Sequence, residues 1–492
     1  MKDTASETYR STDLVLVLLA GLFCWCALQG TLDLNPRGIG MDSDLQNYAQ
    51  ILEAAECPAA FALDPVAPFF PQDPGVPNLL TALAGLFPGG DNAATDMLRV
   101  GALGVFLHFL AYYVLGRCLF RSPSLAALLS ILMGIAVHWS FGTFWGSMRS
   151  DPVPRIFYAD LWPFLLLLAC AAVKRPLLQP VTMFLAGCAM LVHTVSALMG
   201  GAMFFMAFFL LWQGRGLWRH AGLSLLNLLS FAVPVGIYGV LFLSDTPAPP
   251  AEHAGLFAGV RALRYSKDWH DVWQSLADIL RYYTFVIPIF PAAAAAAVVL
   301  FRKRQQLAGP VRTLLRLMPG MGLGIAGGCV LCALEMWLAR HLGRQNMSQE
   351  ILRGTRFLVP LSWLLLTCLL SLYWRRAAPL LRRGLVVLLV LVLLALGQGK
   401  QVVAARHALA DATGMSWLDT EEARQIRARS LRLQEALQAL REMRRALRTH
   451  GGDKYVFETT RELGLYLLNH KRDSLRDMEQ DFGKCLEISI RP

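Results

Sequence analysis

The stretch MDSDLQNY (41–48) sets two carboxylates, Asp42 and Asp44, one residue apart, just after the first long apolar run of the chain. Two chemistries suit that spacing. A carboxylate can take a proton from an attacking hydroxyl or amine as a general base. A pair of them can hold a hard divalent cation that neutralises a departing phosphate. A third use needs no chemistry, because Asp44 is placed to cap a short surface helix over 44–56. A D-x-D alone is a short motif; its place in the first loop outside a span gives it weight.

A second set of residues speaks to anions. GSMRSDPVPR (146–155) carries Arg149 and Arg155, and GRQNMSQEILRGTR (343–356) carries Arg353 and Arg356. A guanidinium fork matches a phosphate with two parallel hydrogen bonds. Taken singly, each arginine also reads as solvated loop charge. A third set sits at the ends of apolar runs: His138, Asp160, His193 and Glu335, with His108 in the middle of one. Ionisable groups inside a bilayer are costly and point to function. Contact with the headgroup layer is the competing explanation, and Trp139, Trp145, Trp162 and Trp337 fit an interfacial aromatic belt. Clustering at one end favours a polar cavity that opens on that side.

These residues need elements to hold them. Only 16% of the 492 residues are charged, against about a quarter in soluble domains. Apolar runs near bilayer length recur through the first 400 residues. The expectation is an all-α polytopic membrane protein with about eleven transmembrane helices. They fall at about 13–30, 94–116, 123–140, 156–173, 177–192, 196–213, 221–243, 284–301, 318–338, 356–374 and 384–398. The first is read as a retained span, since MKDTASETYRSTD is acidic and no A-x-A site follows.

Short basic loops fix the orientation. Arg117 and Arg121, Lys174 and Arg175, Arg215 and Arg219, residues 301–316 and residues 374–383 all lie on one side and read as cytoplasmic. The N-terminus is then inside and the C-terminus outside. The same rule accounts for the net charge of +11, so nucleic acid is not an expected partner. The opposite side receives residues 31–93 (the first external loop), 141–155, 244–283 and 399–492. Residues 1–398 form the membrane domain and 399–492 a small α+β extracytoplasmic domain. In that tail Asp419 and Glu422 resemble a capping box. Apolar positions from Ile426 to Leu447 recur at helical spacing, KYVFET (454–459) and CLEISI (485–490) read as strands, and a helix at 461–470 separates them.

Eight of the ten cysteines lie in or beside spans and read as packing residues. Cys329 and Cys332 form one C-x-x-C without a second pair, which is weak support for a metal. Cys57 and Cys485 lie in the external segments and can pair as a disulfide if that face is periplasmic. There is no Walker-type phosphate loop, Ser-His-Asp signature or zinc-spaced Cys/His set.

The layout resembles the GT-C superfamily of integral membrane glycosyltransferases. MDSDLQNY after span one, a helical first external loop and the tight turn MLVHTVSALMG (190–200) between spans five and six carry the resemblance. It implies a polyprenyl-phosphate-linked sugar donor and transfer to an extracytoplasmic acceptor. Asp42 or Asp44 would be the base or the ligand of a divalent cation, and Arg149, Arg155, Arg353 and Arg356 would hold the donor phosphate. The partners would be the lipid-linked donor and membrane lipids, at a bacterial inner membrane with the active face and C-terminus periplasmic. No W-W-D-x-G-like motif is present, which argues against protein N-glycosylation. Three other readings stand beside it: a transporter or flippase of a lipid-linked sugar, a polysaccharide polymerase or ligase, and a non-catalytic assembly protein.

Overall fold

The computed structural model describes residues 2–34, 49, 51–53, 83, 93–135, 137–139, 143–147, 154–212, 216–243, 286–342, 349–374, 378–396, 400–449, 452 and 454–491. Asp42, Asp44, Cys57 and Arg149 lie outside the described residues. Two compact units emerge: Met1–Trp25 with Asp42–Val402, and Cys26–Met41 with Val403–Pro492.

The first unit is helical. Its elements are α1 (Lys2–Leu34, of which residues 26–34 belong to the second unit), α2 (Ala93–Phe120), α3 (Pro123–Gly134), α4 (Pro154–Ala172), α5 (Leu178–Cys188) and α6 (Thr194–Phe209). They continue as α7 (Leu217–Tyr238), α8 (Val286–Arg302), α9 (Gly309–His341), α10 (Leu358–Trp374) and α11 (Pro379–Leu396). A hydrocarbon core of about 30 Å needs about 20 helical residues at 1.5 Å each. Among the described residues six helices are that long and apolar: Ser11–Leu34, Thr95–Phe120, Pro154–Ala172, Leu217–Leu241, Gly309–Ala339 and Ile351–Trp374. Large apolar side chains on their outer faces are bare, for example Leu18 at 61% and Trp25 at 60% exposure. A surface of that kind needs lipid around it.

Every expected span position holds a helix, but not every helix has the expected length. The run at 123–140 stops after 12 residues at Gly134. The chain then turns extended at Ile135 (φ −60°, ψ 124°) and forms an antiparallel hairpin, β1 (Val137–Trp139) with β2 (Thr143–Trp145), pairing Val137 with Trp145. The residues there, VHW and TFW, favour a pleated strand over a helix. Twelve residues span only about 18 Å. The run at 177–192 is likewise broken into α5 and a 3-10 turn, Ala189–Leu191.

Close helix contact rests on small residues. A Cβ on Gly320 would lie 2.4 Å from Ala207 Cα, and one on Gly324 2.6 Å from Met203 Cα, so α9 meets the backbone of α6 directly. This small-x-x-x-small spacing is a membrane packing device. Gly→Ala inside a helix normally gains about 1 kcal/mol. Here the sign reverses: Gly324→Ala should destabilise by about 1–3 kcal/mol through overpacking. The midpoint of SDS-driven unfolding checks it.

The second unit contains α12 (Lys400–Thr413, from Val403 onward), α13 (Glu421–Thr449), β3 (Lys454–Thr460), α14 (Arg461–His470), α15 (Arg472–Phe482) and β4 (Cys485–Arg491). The strands pair in parallel, Lys454 opposite Cys485 through Thr460 opposite Arg491, and two helices bridge them where one was expected. The missed helix reads RDSLRDMEQDF; its apolar residues, Leu475, Met478 and Phe482, recur three and four apart and pack with Ala436, Met443 and Leu467. Cys485 is exposed and forms no disulfide with any described residue; its expected partner, Cys57, lies outside them.

The start of α13 corrects the expected cap. Thr420 Oγ1 accepts from Ala423 N at 3.0 Å, so Thr420 is the cap. Asp419 is turned to His407 instead. The His407 ring is clasped by two carboxylates, Asp33 at 2.6 Å on Nε2 and Asp419 at 3.0 Å on Nδ1. Burial opposes charge on this imidazole, but the hydrogen bonds and charges of Asp33 and Asp419 outweigh it and raise its pKa. A raised folded-state pKa stabilises fully below the unfolded value near 6.5, and the gain disappears as pH rises through the folded value. The second unit should therefore melt later at pH 6 than at pH 9. His407→Ala should flatten that slope and cost about 1 kcal/mol at pH 6, since Asp33 is half exposed. Melting curves at the two pH values test this.

Candidate functional site

The candidate site lies in the first unit, where α2, α4, α6 and α10 meet the β1–β2 hairpin. Arg155 is the second residue of α4, and Arg356 immediately precedes the last residue of a 3-10 run, Gln349–Phe357, that leads into α10. Arg356 is buried at 2% exposure and its Nη2 donates to Ser196 Oγ. Ser196 lies in the first turn of α6, and its backbone N–H donates to His193 Nδ1 at 3.1 Å, closing the cap of that helix. An Nδ1 that accepts is unprotonated. Burial pushes the His193 imidazole well below its ordinary pKa, and the guanidiniums of Arg356, Arg155 and Arg353 push it the same way. Three cations thus act on one neutral imidazole, near helix starts whose backbone N–H groups also favour anions.

Beside them is a small cavity of about 10 Å³, room for one water, lined by His108, Trp145, Gly146, Arg155, Ile156 and Arg356 among others. Gly146 follows β2 with φ 103°, a backbone state that side chains rarely adopt and glycine takes freely.

His108, from the middle of α2, is 1% exposed. Its Nδ1 lies 3.0 Å from Asp160 Oδ1 on α4, and its Nε2 lies 3.1 Å from the Met133 carbonyl. A carbonyl only accepts, so Nε2 carries a hydrogen. One proton is then shared between Nδ1 and Oδ1, and the pair is neutral overall wherever that proton sits.

An aromatic cage closes the site. Phe357 is fully buried among Trp145, Trp162 and Tyr158, at centroid distances of 5.5, 5.9 and 6.0 Å. Tyr112 packs on His108 at 4.7 Å and on Trp145 at 6.5 Å.

Of the residues singled out from sequence, Arg155, Arg353, Arg356 and His193 come together, and Asp160 joins through His108 and the cavity wall. His138 lies in β1, opposite Phe144, not at the end of a span. Glu335 is half buried on α9 and is not among the residues that line the cavity. Sequence reasoning missed Ser196, Tyr158 and Phe357. The Ser196 signal was readable, since it follows His193 at the spacing of a helix cap. Among the described residues no group of three His, Cys, Asp or Glu could hold a metal ion. No protein-family profile, no curated protein and no solved structure matches the chain.

Proposed function

We propose that the protein binds a phosphate-bearing lipid at this site and transfers the sugar it carries to an extracytoplasmic acceptor, as a glycosyltransferase of GT-C type. One observation carries the reading: the charges of Arg155, Arg353 and Arg356 act on a neutral His193 at the start of α6, and Arg155 and Arg356 line one small cavity. Arg155 and Arg353 act on Arg356 as like charges, and a doubly charged phosphate suits such a group with paired hydrogen bonds. Glycosyl transfer from a lipid phosphate needs that same stabilisation on the leaving group. The base that takes the acceptor proton is Asp42 or Asp44 in this reading, with or without a divalent cation. The eleven-span count, the inside N-terminus, the outside C-terminus and a bacterial inner membrane location belong to the same proposal.

A second reading, transport of a lipid-linked sugar, draws on the buried His108–Asp160 pair. Proton relays in transporters use such pairs. The two diverge in one experiment. Protein in liposomes is given a labelled polyprenyl-phosphate-linked hexose. Release of free polyprenyl phosphate supports transfer; movement of intact donor across the bilayer, with proton uptake, supports transport.

A further inference from the structure

Phe357 lies in the apolar core among aromatic side chains that carry polar groups. The phenyl ring offers no hydrogen-bonding group. Nε1 of Trp145 and Trp162 and the hydroxyl of Tyr158, whose rings pack on it, and the hydroxyl of Tyr112, which packs on Trp145, are buried without a hydrogen-bond partner among the described residues. Buried donors are nearly always satisfied in folded proteins, so four together ask for a missing partner. The slot that Phe357 fills holds one six-membered ring, its phenyl. Its walls are aromatic rings set tilted or edge-on to the phenyl, which suit the C–H groups of a pyranose, and its orphan groups suit pyranose hydroxyls. Trp145 also lines the cavity that holds Arg155 and Arg356, so the slot adjoins the proposed phosphate position. The Tyr158 hydroxyl lies within electrostatic reach of Arg356 and against the backbone of Gly200, where a Cβ would sit 2.0 Å from it.

The occupant is mounted on an element that can move. Phe357 ends a nine-residue 3-10 run, Gln349–Phe357. Runs beyond three or four residues are uncommon, and they mark hinges. Rewinding such a run as α-helix shortens it by about 0.5 Å per residue and rotates its side chains.

We propose that this slot docks the pyranose ring of the donor, that Phe357 plugs it while it is empty, and that engagement of Arg353 and Arg356 on the same run withdraws the plug. The proposal rests on the lipid-phosphate-sugar reading and adds to it where the sugar sits.

The test uses the full chain in detergent and follows tryptophan fluorescence from Trp145 and Trp162. The probes are glucose, galactose, mannose, N-acetylglucosamine, decyl phosphate and benzene. Phe357→Ala removes the plug, and at least one pyranose is expected to bind this variant at least tenfold tighter than wild type. Binding of benzene without any pyranose would show a dry apolar cavity of the ordinary kind and overturn the proposal. Tyr158→Phe is an independent check should Phe357→Ala fail to fold. Deleting an orphan hydroxyl is expected to leave the melting temperature of the empty protein unchanged or raised. A fall of several degrees would mean the hydroxyl already has a partner, and the proposal fails. Decyl phosphate separates this outcome from the reading beneath it. Phosphate bound without any pyranose removes the slot alone. Failure of decyl phosphate to bind removes the phosphate reading itself.

Discussion

Arg356→Ala is expected to weaken binding of a lipid phosphate about 30- to 3,000-fold while leaving the empty protein folded. The first half follows from burial. Arg356 is 2% exposed and fixed by Ser196, so its hydrogen bonds to a bound phosphate would be desolvated and charge-assisted. Truncating one partner of such a pair costs about 2–5 kcal/mol, at 1.4 kcal/mol per tenfold. The second half follows from repulsion. Arg155 and Arg353 act on Arg356 as like charges, so its removal takes away a repulsion along with its hydrogen bond to Ser196. Arg356→Lys keeps the charge but loses the planar fork, and should fall between the two. Calorimetric titration with decyl phosphate, beside a melting curve without ligand, checks both halves. Unchanged affinity in a folded Arg356→Ala protein would contradict the account.

Asp160→Ala should act through stability. It strands the His108 Nδ1 in a buried setting, and breaking a buried pair by removing one partner costs about 3–5 kcal/mol. Replacing both residues by leucine should recover most of that loss, because two apolar side chains leave no orphan. Unfolding midpoints in SDS for the single and double variants give the answer. A double variant as unstable as the single would mean that the pair holds the helices together through something other than its mutual hydrogen bond. If the transport reading holds, the double variant should be stable and lose proton uptake.

Much of the fold was legible because membrane helices announce themselves by length and hydropathy alone. That signal ignores where a chain turns, and so it ran the third span through Gly134 into β1 and missed the change from α-helix to a 3-10 turn after Cys188. It also missed α15, whose charged residues hid a short apolar stripe. The arginine set was legible from charge on the face where positive charge is disfavoured. What brings the charges of Arg155, Arg353 and Arg356 to act on one imidazole is the meeting of segments up to about 160 positions from it, which no spacing reveals. The cage around Phe357 is of the same kind. Trp145 and Trp162 read equally well as an interfacial belt until the structure places both rings against one buried phenyl. Asp419 shows the converse error: a residue with the chemistry of a cap serves a histidine twelve positions away, and its neighbour Thr420 does the capping.

The most direct test of the central claim is turnover. Purified wild-type protein, Asp42→Asn, Asp44→Asn and Arg356→Ala are each given a labelled polyprenyl-phosphate-linked hexose and an acceptor lipid, with and without EDTA. The account predicts release of polyprenyl phosphate by wild type. It predicts a loss of at least about a hundredfold in one of the two Asn variants, the scale of a missing general base, and a comparable loss in Arg356→Ala. EDTA sensitivity then decides whether a cation takes part. Wild-type protein that binds the donor and never cleaves it, with both Asn variants binding equally, would contradict the transferase reading and leave the D-x-D as a helix cap.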